Sequence, residues 1–513
     1  MPLHHHLPLL LLLLLLAVTS AASSTPPSTV LDRRFSCDAE THRACGAQVG
    51  AAMKTLIAAE LTTTLPTSRA LKTVEAWAAT AAGAAVVARY LAVHEAAVPD
   101  LVDEVRGLAE GSGQPFARMF LLNALPELLF EATNATYAAA HGQKSCTDVH
   151  LAHGGGPGGG PGGHTTGIQA WGHNEDGELS AKDGNFILTA RIAGATHSTH
   201  YTAFAYVGRL AGWAWGWNAH GVVVSINALS AAPPVSGGVG VNFVARRVLD
   251  AHNVSEAVAF ASTAGTGAAA EAEIGAAGAG AVGAAGAAGA AGAQHFNIGS
   301  IHAACTEGDP CQVSVEMGPG VPGGASVQNI LDEVVDSASV AAAMAAMAAN
   351  ANANANANAN ANANATVRTA AAAAANVQAM SERHPPRWYA HMNIFLRSKP
   401  EQLIGDVTSS IYRMSRVASV ATAGGGGGAR APLETTADIL GLLGDSTMAN
   451  GYAIRRQNTK VDPYITLVTV LVDLRAKTMA LYTGNPTPAS PPAKPDLVFD
   501  LTAAPSFAPF VVG

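Results

Sequence analysis

Between Phe186 and Leu229 the chain reads as one strand after another, and this constrains the fold more than any other stretch. Phe186-Ile-Leu-Thr-Ala-Arg-Ile192 alternates, His200 to Val207 repeats the pattern, and Gly221 to Leu229 makes a third run. Alternation with period two in β-branched and aromatic residues predicts strands with one face buried. Asn218-Ala-His-Gly221 supplies a hairpin turn before the third run. Strands are also predicted over Cys311 to Met317, Thr466 to Asp473 and Thr478 to Tyr482, and helices over Phe243 to Ala251, Val254 to Ser262 and Thr435 to Leu443. Antiparallel hairpins with helices between them imply a layered α+β domain, not a parallel doubly wound sheet.

The segment before these strands is helical. From Cys45 to Leu129, apolar residues recur three and four apart, as in Leu91, His94, Val98, Leu101, Val102 and Val105. Gly107 and the Glu110-Gly-Ser-Gly113 turn are expected to break this pattern, with a further helix from Pro115 to Leu129. Glu104 and Arg106 read as a solvated helix face. Four tracts of Gly, Ala or Asn-Ala repeat (154–163, 264–293, 341–375 and 424–428) cannot supply a packed core. They read as surface insertions, which lengthen loops at modest entropic cost. Several hundred residues remain, ample for a sizeable core.

The chain begins like a secreted protein. Met1 to Ala22 has a polar start, the apolar run Leu9 to Leu16 and small residues at Ser20-Ala-Ala22, the three-part pattern of a signal peptide. That run is too short to span a bilayer, and no later stretch reads as a transmembrane helix. The expected address is the secretory pathway, ending in the extracellular space or a vacuolar or lysosomal lumen. Five cysteines fit it: Cys37 with Cys45 and Cys305 with Cys311 read as two local disulfides, leaving Cys146 over. Asn134, Asn253 and Asn364 head glycosylation sequons. The formal charge of -8, with no basic cluster, argues against a nucleic-acid partner.

Cys146, in Lys144-Ser-Cys-Thr-Asp148, is either a buried structural thiol or a nucleophile. Downstream, Trp171-Gly-His-Asn-Glu-Asp-Gly177 reads as an Asn-x-Asp turn, whose Asp176 is either an Asx-turn cap or an orienting carboxylate. Tyr206, Trp213, Trp215 and Trp217 either line a pocket or belong to the core. His150, His153, His164, His197 and His200 have no Cys or carboxylate completing a four-ligand pattern, so they read as solvated, and no metal is expected. No phosphate-cradling Gly-Lys-Thr motif is present.

Six motifs in order resemble the acyl-coenzyme A:6-aminopenicillanic-acid acyltransferase family of N-terminal-nucleophile hydrolases. They are Pro99 to Gly111 (a prosegment helix), Ser145-Cys-Thr-Asp148 (a cleavage site), Gly172-His-Asn-Glu-Asp176, His391-Met-Asn393, Asp406 to Arg413, and Gly484-Asn-Pro486. The resemblance runs from about Leu91 to Pro486, with the four tracts as insertions. The resemblance implies a four-layer αββα sandwich and a precursor that cleaves itself between Ser145 and Cys146. An α chain (23–145) and a β chain (146–513) would then form a self-derived heterodimer.

The free α-amine of Cys146, with an ordinary pKa of about 8, would serve as the base for its own thiol. By the same resemblance Asp176 would hold that amine and Arg413 would lower the thiol pKa. Asn393, and less directly Asn227, would donate to the oxyanion. The reaction implied is acyl transfer from a small N-acyl amide or thioester to Cys146, then to water or an amine. No cofactor is implied, and a coenzyme A thioester enters only as a co-substrate. The sequence departs from the family at His173, Glu175 and Ser145. A secreted, non-catalytic binding module of the same fold is the competing expectation.

Overall fold

The computed structural model describes residues 30–62, 66–133, 145–152, 168–193, 199–229, 238–262, 293–303, 311–318, 325–329, 388–394, 404–422, 433–448, 451–487, 493–505 and 510–511. The signal-like start, most of the four tracts, and Asn134, Asn364, Cys305, His153, His164 and His197 lie outside these residues. Ala293, counted with a tract in the sequence, opens a strand instead.

After strand β1 (Arg34–Ala39) the described residues form seven helices before the next strand: α1 (His42–Ala52), α2 (Lys54–Thr62), α3 (Pro66–Ala78), α4 (Ala81–Ala97), α5 (Pro99–Ser112), α6 (Phe116–Asn123) and α7 (Leu125–Thr133). The expected break at Gly107 does not occur. Helix α5 runs through it and ends at Gly113, whose φ of 71° is the left-handed conformation that closes helices. Gly107 serves close approach: a Cβ there would sit 2.0 Å from the Arg43 carbonyl oxygen of α1. Sequence reading cannot separate a helix-breaking glycine from a helix-packing one. The helix expected from Pro115 to Leu129 is divided at Ala124 into α6 and α7.

Glu104 is buried, contrary to the expected solvated face. It meets His42 Nδ1 at 2.8 Å and Arg246 at 3.2 Å. Arg246 and Arg247 belong to helix α8 (Val241–Val248), and both also bind Asp250. Arg106 is partly exposed, bridging Asp103 and Glu95 as a surface residue would. The start of α8 is capped from the helical segment as well. The Gly240 and Val241 amides donate to His94 Nε2 and Glu127 Oε1, both at 2.9 Å. Since His94 Nε2 accepts, its Nδ1 carries the proton and donates to the Tyr90 carbonyl.

Fifteen strands form two sheets among the described residues. The first, in order β1-β4-β5-β6-β7-β8-β9-β10, holds β4 (Asn185–Ile192), β5 (Thr199–Tyr206), β6 (Trp215–Asn218), β7 (Val222–Leu229), β8 (Ala293–Ser300), β9 (Gln312–Met317) and β10 (Ala325–Asn329). It is antiparallel apart from the parallel β1–β4 edge pair. The second, in order β11-β2-β3-β12-β13-β14-β15, holds β2 (Ser145–Ala152), β3 (Gln169–Glu178), β11 (Trp388–His391), β12 (Tyr464–Asp473), β13 (Thr478–Tyr482), β14 (Leu497–Asp500) and β15 (Phe510–Val511). Helices α9 (Val254–Ser262), α10 (Ile404–Thr422) and α11 (Thr436–Leu443) complete the set. Thr435 caps α11 in a capping box with Asp438.

Three apolar clusters order these pieces. Leu188, Ala203 and Val224 of the first sheet pack with the helices from α1 to α9. Ile187, Phe204 and Val223, on the opposite faces of the same strands, pack with Trp171, Val470 and Phe499 of the second sheet. Val149, Leu151 and Leu471 pack with α10 and α11. The alternation predicted for β4, β5 and β7 therefore sorts residues between two cores. Cys37 and Cys45 form a disulfide, with Cα atoms 5.4 Å apart. Cys311 is disulfide-bonded, and Cys146 is free and buried.

Candidate active site

The stretch expected as an Asn-x-Asp turn is a strand. All of Gln169 to Gly177 is buried in β3, paired with β12 on one side and β2 on the other. This matters because strand residues two apart share a face. Val149 and Leu151 of β2 enter the helix-side core, so Cys146, Asp148 and His150 face the first sheet. The antiparallel register sets Cys146 opposite Glu175 and Asp148 opposite His173. Ser225 and Asn227 of β7 approach from the first sheet.

A continuous line of polar contacts results. Cys146 Sγ lies 3.4 Å from Glu175 Oε2, His173 Nε2 lies 3.4 Å from the same oxygen, and His173 Nδ1 lies 2.9 Å from Asp148 Oδ1. Ser225 Oγ donates to Asp148 at 2.9 Å, and the Tyr206 hydroxyl donates to Glu175 Oε1. Burial alone would push the His173 imidazole down, but Asp148 and Glu175 outweigh it and lift its pKa to about 10. The histidine is therefore a cation at neutral pH, between two carboxylates. Burial, and then the charges of Glu175, Asp176 and Asp148, push the Cys146 thiol well up.

Helix α10 closes the other side. Buried Arg413 donates from Nη1 to the Cys146 carbonyl and to Thr147 Oγ1, both at 2.6 Å. From Nη2 it reaches Asn393 Oδ1 at 3.0 Å and Ser410 Oγ at 3.1 Å, and from Nε it reaches Ser409 Oγ at 3.2 Å. All five guanidinium donors are used, three and four residues from the serines on one helix face. The Cys146 amide donates to Asn393 Oδ1 at 2.8 Å.

The structure thus gathers Cys146, Asn393 and Arg413, with contacts that differ from those expected. Arg413 grips the backbone carbonyl of Cys146, and the thiol pKa moves up, not down. Asn393 meets the Cys146 nitrogen with its oxygen, while its Nδ2 donates to the Ala228 carbonyl at 2.9 Å. Asn227 Nδ2 is likewise spent on the His391 and Met392 carbonyls. Asp176 stands opposite Ser145, its Oδ1 accepting from Thr466 Oγ1 at 2.7 Å. Its Oδ2 is buried without a hydrogen-bond partner among the described residues. Burial raises its pKa to about 7, restrained by Arg456 and Arg413.

Other expectations shift too. His150 is not a solvated loop residue: it is fully buried in β2, and desolvation pulls its pKa to about 4. His200 is half-buried in β5. Trp215 and Trp217 pack as core beside Phe499, while Tyr206 reaches the site through its hydroxyl. Asn253 is exposed and its Oδ1 caps the start of α9. Cys146 Sγ, a His173 ring nitrogen and a Glu175 oxygen lie within 4.8 Å of one another, but the protonated imidazole offers no lone pair to a metal ion. Sequence reading gave His173 and Glu175 no role beyond marking departures; reading Gly172 to Asp176 as a strand would have put both on the Cys146 face.

Comparison with known proteins meets this geometry in its middle. The family model for acyl-coenzyme A:6-aminopenicillanic acid acyl-transferase matches residues 164–291. A Drosophila melanogaster protein, beta-alanyl-dopamine/carcinine hydrolase, is 27% identical over 178 residues, which is 33% of this chain and 43% of that protein. The match therefore spans less than half of that relative's length. The family stretch contains His173, Glu175, Asp176, Ser225 and Asn227, and it begins after Cys146 and ends before Asn393. Over residues 164–291, the chain is similar to the acyl-coenzyme A:6-aminopenicillanic acid acyl-transferase family.

Proposed function

We propose that this protein is a self-processing amide hydrolase or acyltransferase in which Cys146 becomes an N-terminal nucleophile. The observation that carries this reading is the clamp on the Cys146 backbone. One residue has its nitrogen held by Asn393 and its carbonyl held by Arg413, with its sulfur directed to a separate polar cluster. A structural thiol in a core needs none of these contacts. The three apolar clusters, in the order helices, sheet, sheet, helices, support the αββα sandwich of N-terminal-nucleophile hydrolases.

Cleavage before Cys146 would turn its peptide nitrogen into an α-amine. That amine keeps Asn393 Oδ1 as an acceptor and gains the unpartnered Asp176 Oδ2 as a candidate second one. The amine then takes the thiol proton, and the thiolate attacks the carbonyl of an N-acyl amide. The tetrahedral oxyanion needs fixed donors, each worth about two to three powers of ten in rate. Asn393 and Asn227 serve only if their amides exchange the carbonyls they now bind. Collapse releases the amine, which takes the proton back from the α-ammonium, and leaves an acyl-cysteine that passes its acyl group to water or to a second amine. The Drosophila relative is a hydrolase of beta-alanyl-dopamine and carcinine, so small N-acylated amines are the proposed class. A secretory address, glycosylation at Asn134, Asn253 and Asn364, and a two-chain mature form complete the proposal.

The test is a denaturing gel with N-terminal sequencing of secreted protein, beside a turnover screen on N-acyl amines. The reading expects two chains, the second beginning Cys-Thr-Asp-Val, and neither cleavage nor turnover in Cys146→Ala. A single chain that turns over substrate equally well as Cys146→Ala removes Cys146 as nucleophile.

A further inference from the structure

Self-cleavage poses a chemical problem that the mature enzyme does not. Before the Ser145–Cys146 bond breaks, Cys146 has no α-amine: its nitrogen is a peptide nitrogen donating to Asn393. The base that serves turnover does not yet exist, and the thiol, pushed up by burial, will not ionise unaided. Some other group must accept the first proton.

We propose that Glu175 is that group: its Oε2, 3.4 Å from Cys146 Sγ, takes the thiol proton in the uncut chain. The inference rests on the self-processing reading above. The carboxylate is held for the task. Tyr206 fixes its other oxygen, and His173, anchored through Nδ1 to Asp148 and thence to Ser225, stands 3.4 Å from the reacting oxygen. The imidazolium also lies within 4.8 Å of the sulfur, so a cation faces the thiolate as it forms. An opposite charge at that range favours an ionised thiol in a buried site.

The step balances without a co-reactant other than water. The S–H bond breaks and its proton moves to Glu175 Oε2, leaving a thiolate. Sulfur bonds to the Ser145 carbonyl carbon, and the carbonyl electron pair moves onto oxygen. When the pair returns, the C–N bond breaks, and the departing Cys146 nitrogen takes the proton back from Glu175 to become the α-amine. The resulting thioester on Cys146 is hydrolysed by water to the Ser145 carboxylate and a free thiol. Glu175 ends as it began, and the α-amine succeeds it as base.

The experiment follows full-length chains made in a cell-free system with oxidising folding conditions, sampled on denaturing gels with and without hydroxylamine. Hydroxylamine cleaves a thioester but not a peptide bond, so it reports arrival at the intermediate. Wild type is expected to cleave, Cys146→Ala not to cleave, and Glu175→Gln to cleave at least 100-fold more slowly with no hydroxylamine-sensitive species, the loss typical of a missing general base. Glu175→Asp, which keeps a shorter carboxylate, is expected to recover part of the rate. Cleavage of Glu175→Gln within threefold of wild type overturns the assignment while leaving self-processing intact. A wild-type chain that never cleaves overturns both. Should Glu175→Gln fail to melt cooperatively, Glu175→Asp decides: a wild-type rate overturns the assignment, and a slowed rate with a retained melt supports it.

Discussion

Replacing Arg413 with lysine keeps the charge and removes the fork. The guanidinium spends five N–H groups on Cys146 O, Thr147 Oγ1, Asn393 Oδ1, Ser410 Oγ and Ser409 Oγ. An ammonium has three donors and lacks the planar fork; Asn393 Oδ1 and Ser410 Oγ keep donors in the Cys146 and Asn393 amides, and at least one of Cys146 O, Thr147 Oγ1 and Ser409 Oγ is expected to go unserved in a fully buried site. A stranded buried polar group costs about 1–3 kcal/mol, which is the loss expected against a typical total of about 5–15 kcal/mol. The functional loss has a different origin. With its carbonyl released, the start of β2 no longer fixes the Cys146 sulfur, and a misplacement of about 1 Å can cost roughly 100-fold in rate. Urea unfolding with unchanged slope measures the first effect, and gel-monitored self-cleavage measures the second. An Arg413→Lys protein with the wild-type midpoint and the wild-type cleavage rate would refute the clamp.

Two further outcomes follow from the packing and charges. Gly107→Ala sets a Cβ 2.0 Å from the Arg43 carbonyl, so α1 and α5 must part; a loss of about 1–3 kcal/mol is expected in urea unfolding, and an unchanged midpoint contradicts the close approach. His94 and Glu127, which cap α8, have opposed pH slopes. Burial lowers His94 to about 4, so its contribution is lost as pH falls from 6.5 towards 4. Burial raises Glu127 to about 7, so its contribution is lost as pH rises from 4.5 towards 7. Glu127→Gln removes the second slope, and its stability relative to wild type should improve by on the order of 3 kcal/mol from pH 4.5 to 7; a pH-independent difference contradicts this.

Strands β4, β5 and β7 of the first sheet were legible from their β-branched and aromatic runs, but one buried face was expected and the structure buries both, one against each core. The N-terminal helices were legible by periodicity, but not where they end, since Gly107 carries the same letter whether it breaks a helix or lets another pack on it. Glu104 escaped for a related reason: its partners Arg246 and His42 are remote in sequence, and only the fold pairs them. At the site, Cys146, Asn393 and Arg413 were found through motif resemblance, and the structure brings them together. Their individual contacts were not legible, because which end of an amide or guanidinium meets the nucleophile depends on strand register. His173 and Glu175 were visible as residues but hidden as a pair, since Asn-x-Asp-Gly suggested a turn where Thr466 and Ser145 on neighbouring strands enforce an extended one. β1, β6, β8 and β10 of the first sheet and β2, β3, β11, β14 and β15 of the second were not predicted; β1 is an edge strand and β8 abuts an alanine tract.

The central claim concerns one sulfur at one new chain end, and peptide mass spectrometry of the enzyme quenched during turnover of a slow N-acyl amine reads both at once. The account predicts a peptide that begins at Cys146 and carries the acyl mass on its thiol, sensitive to hydroxylamine. A turning-over enzyme in which Cys146 remains joined to Ser145 and free of acyl mass would contradict it.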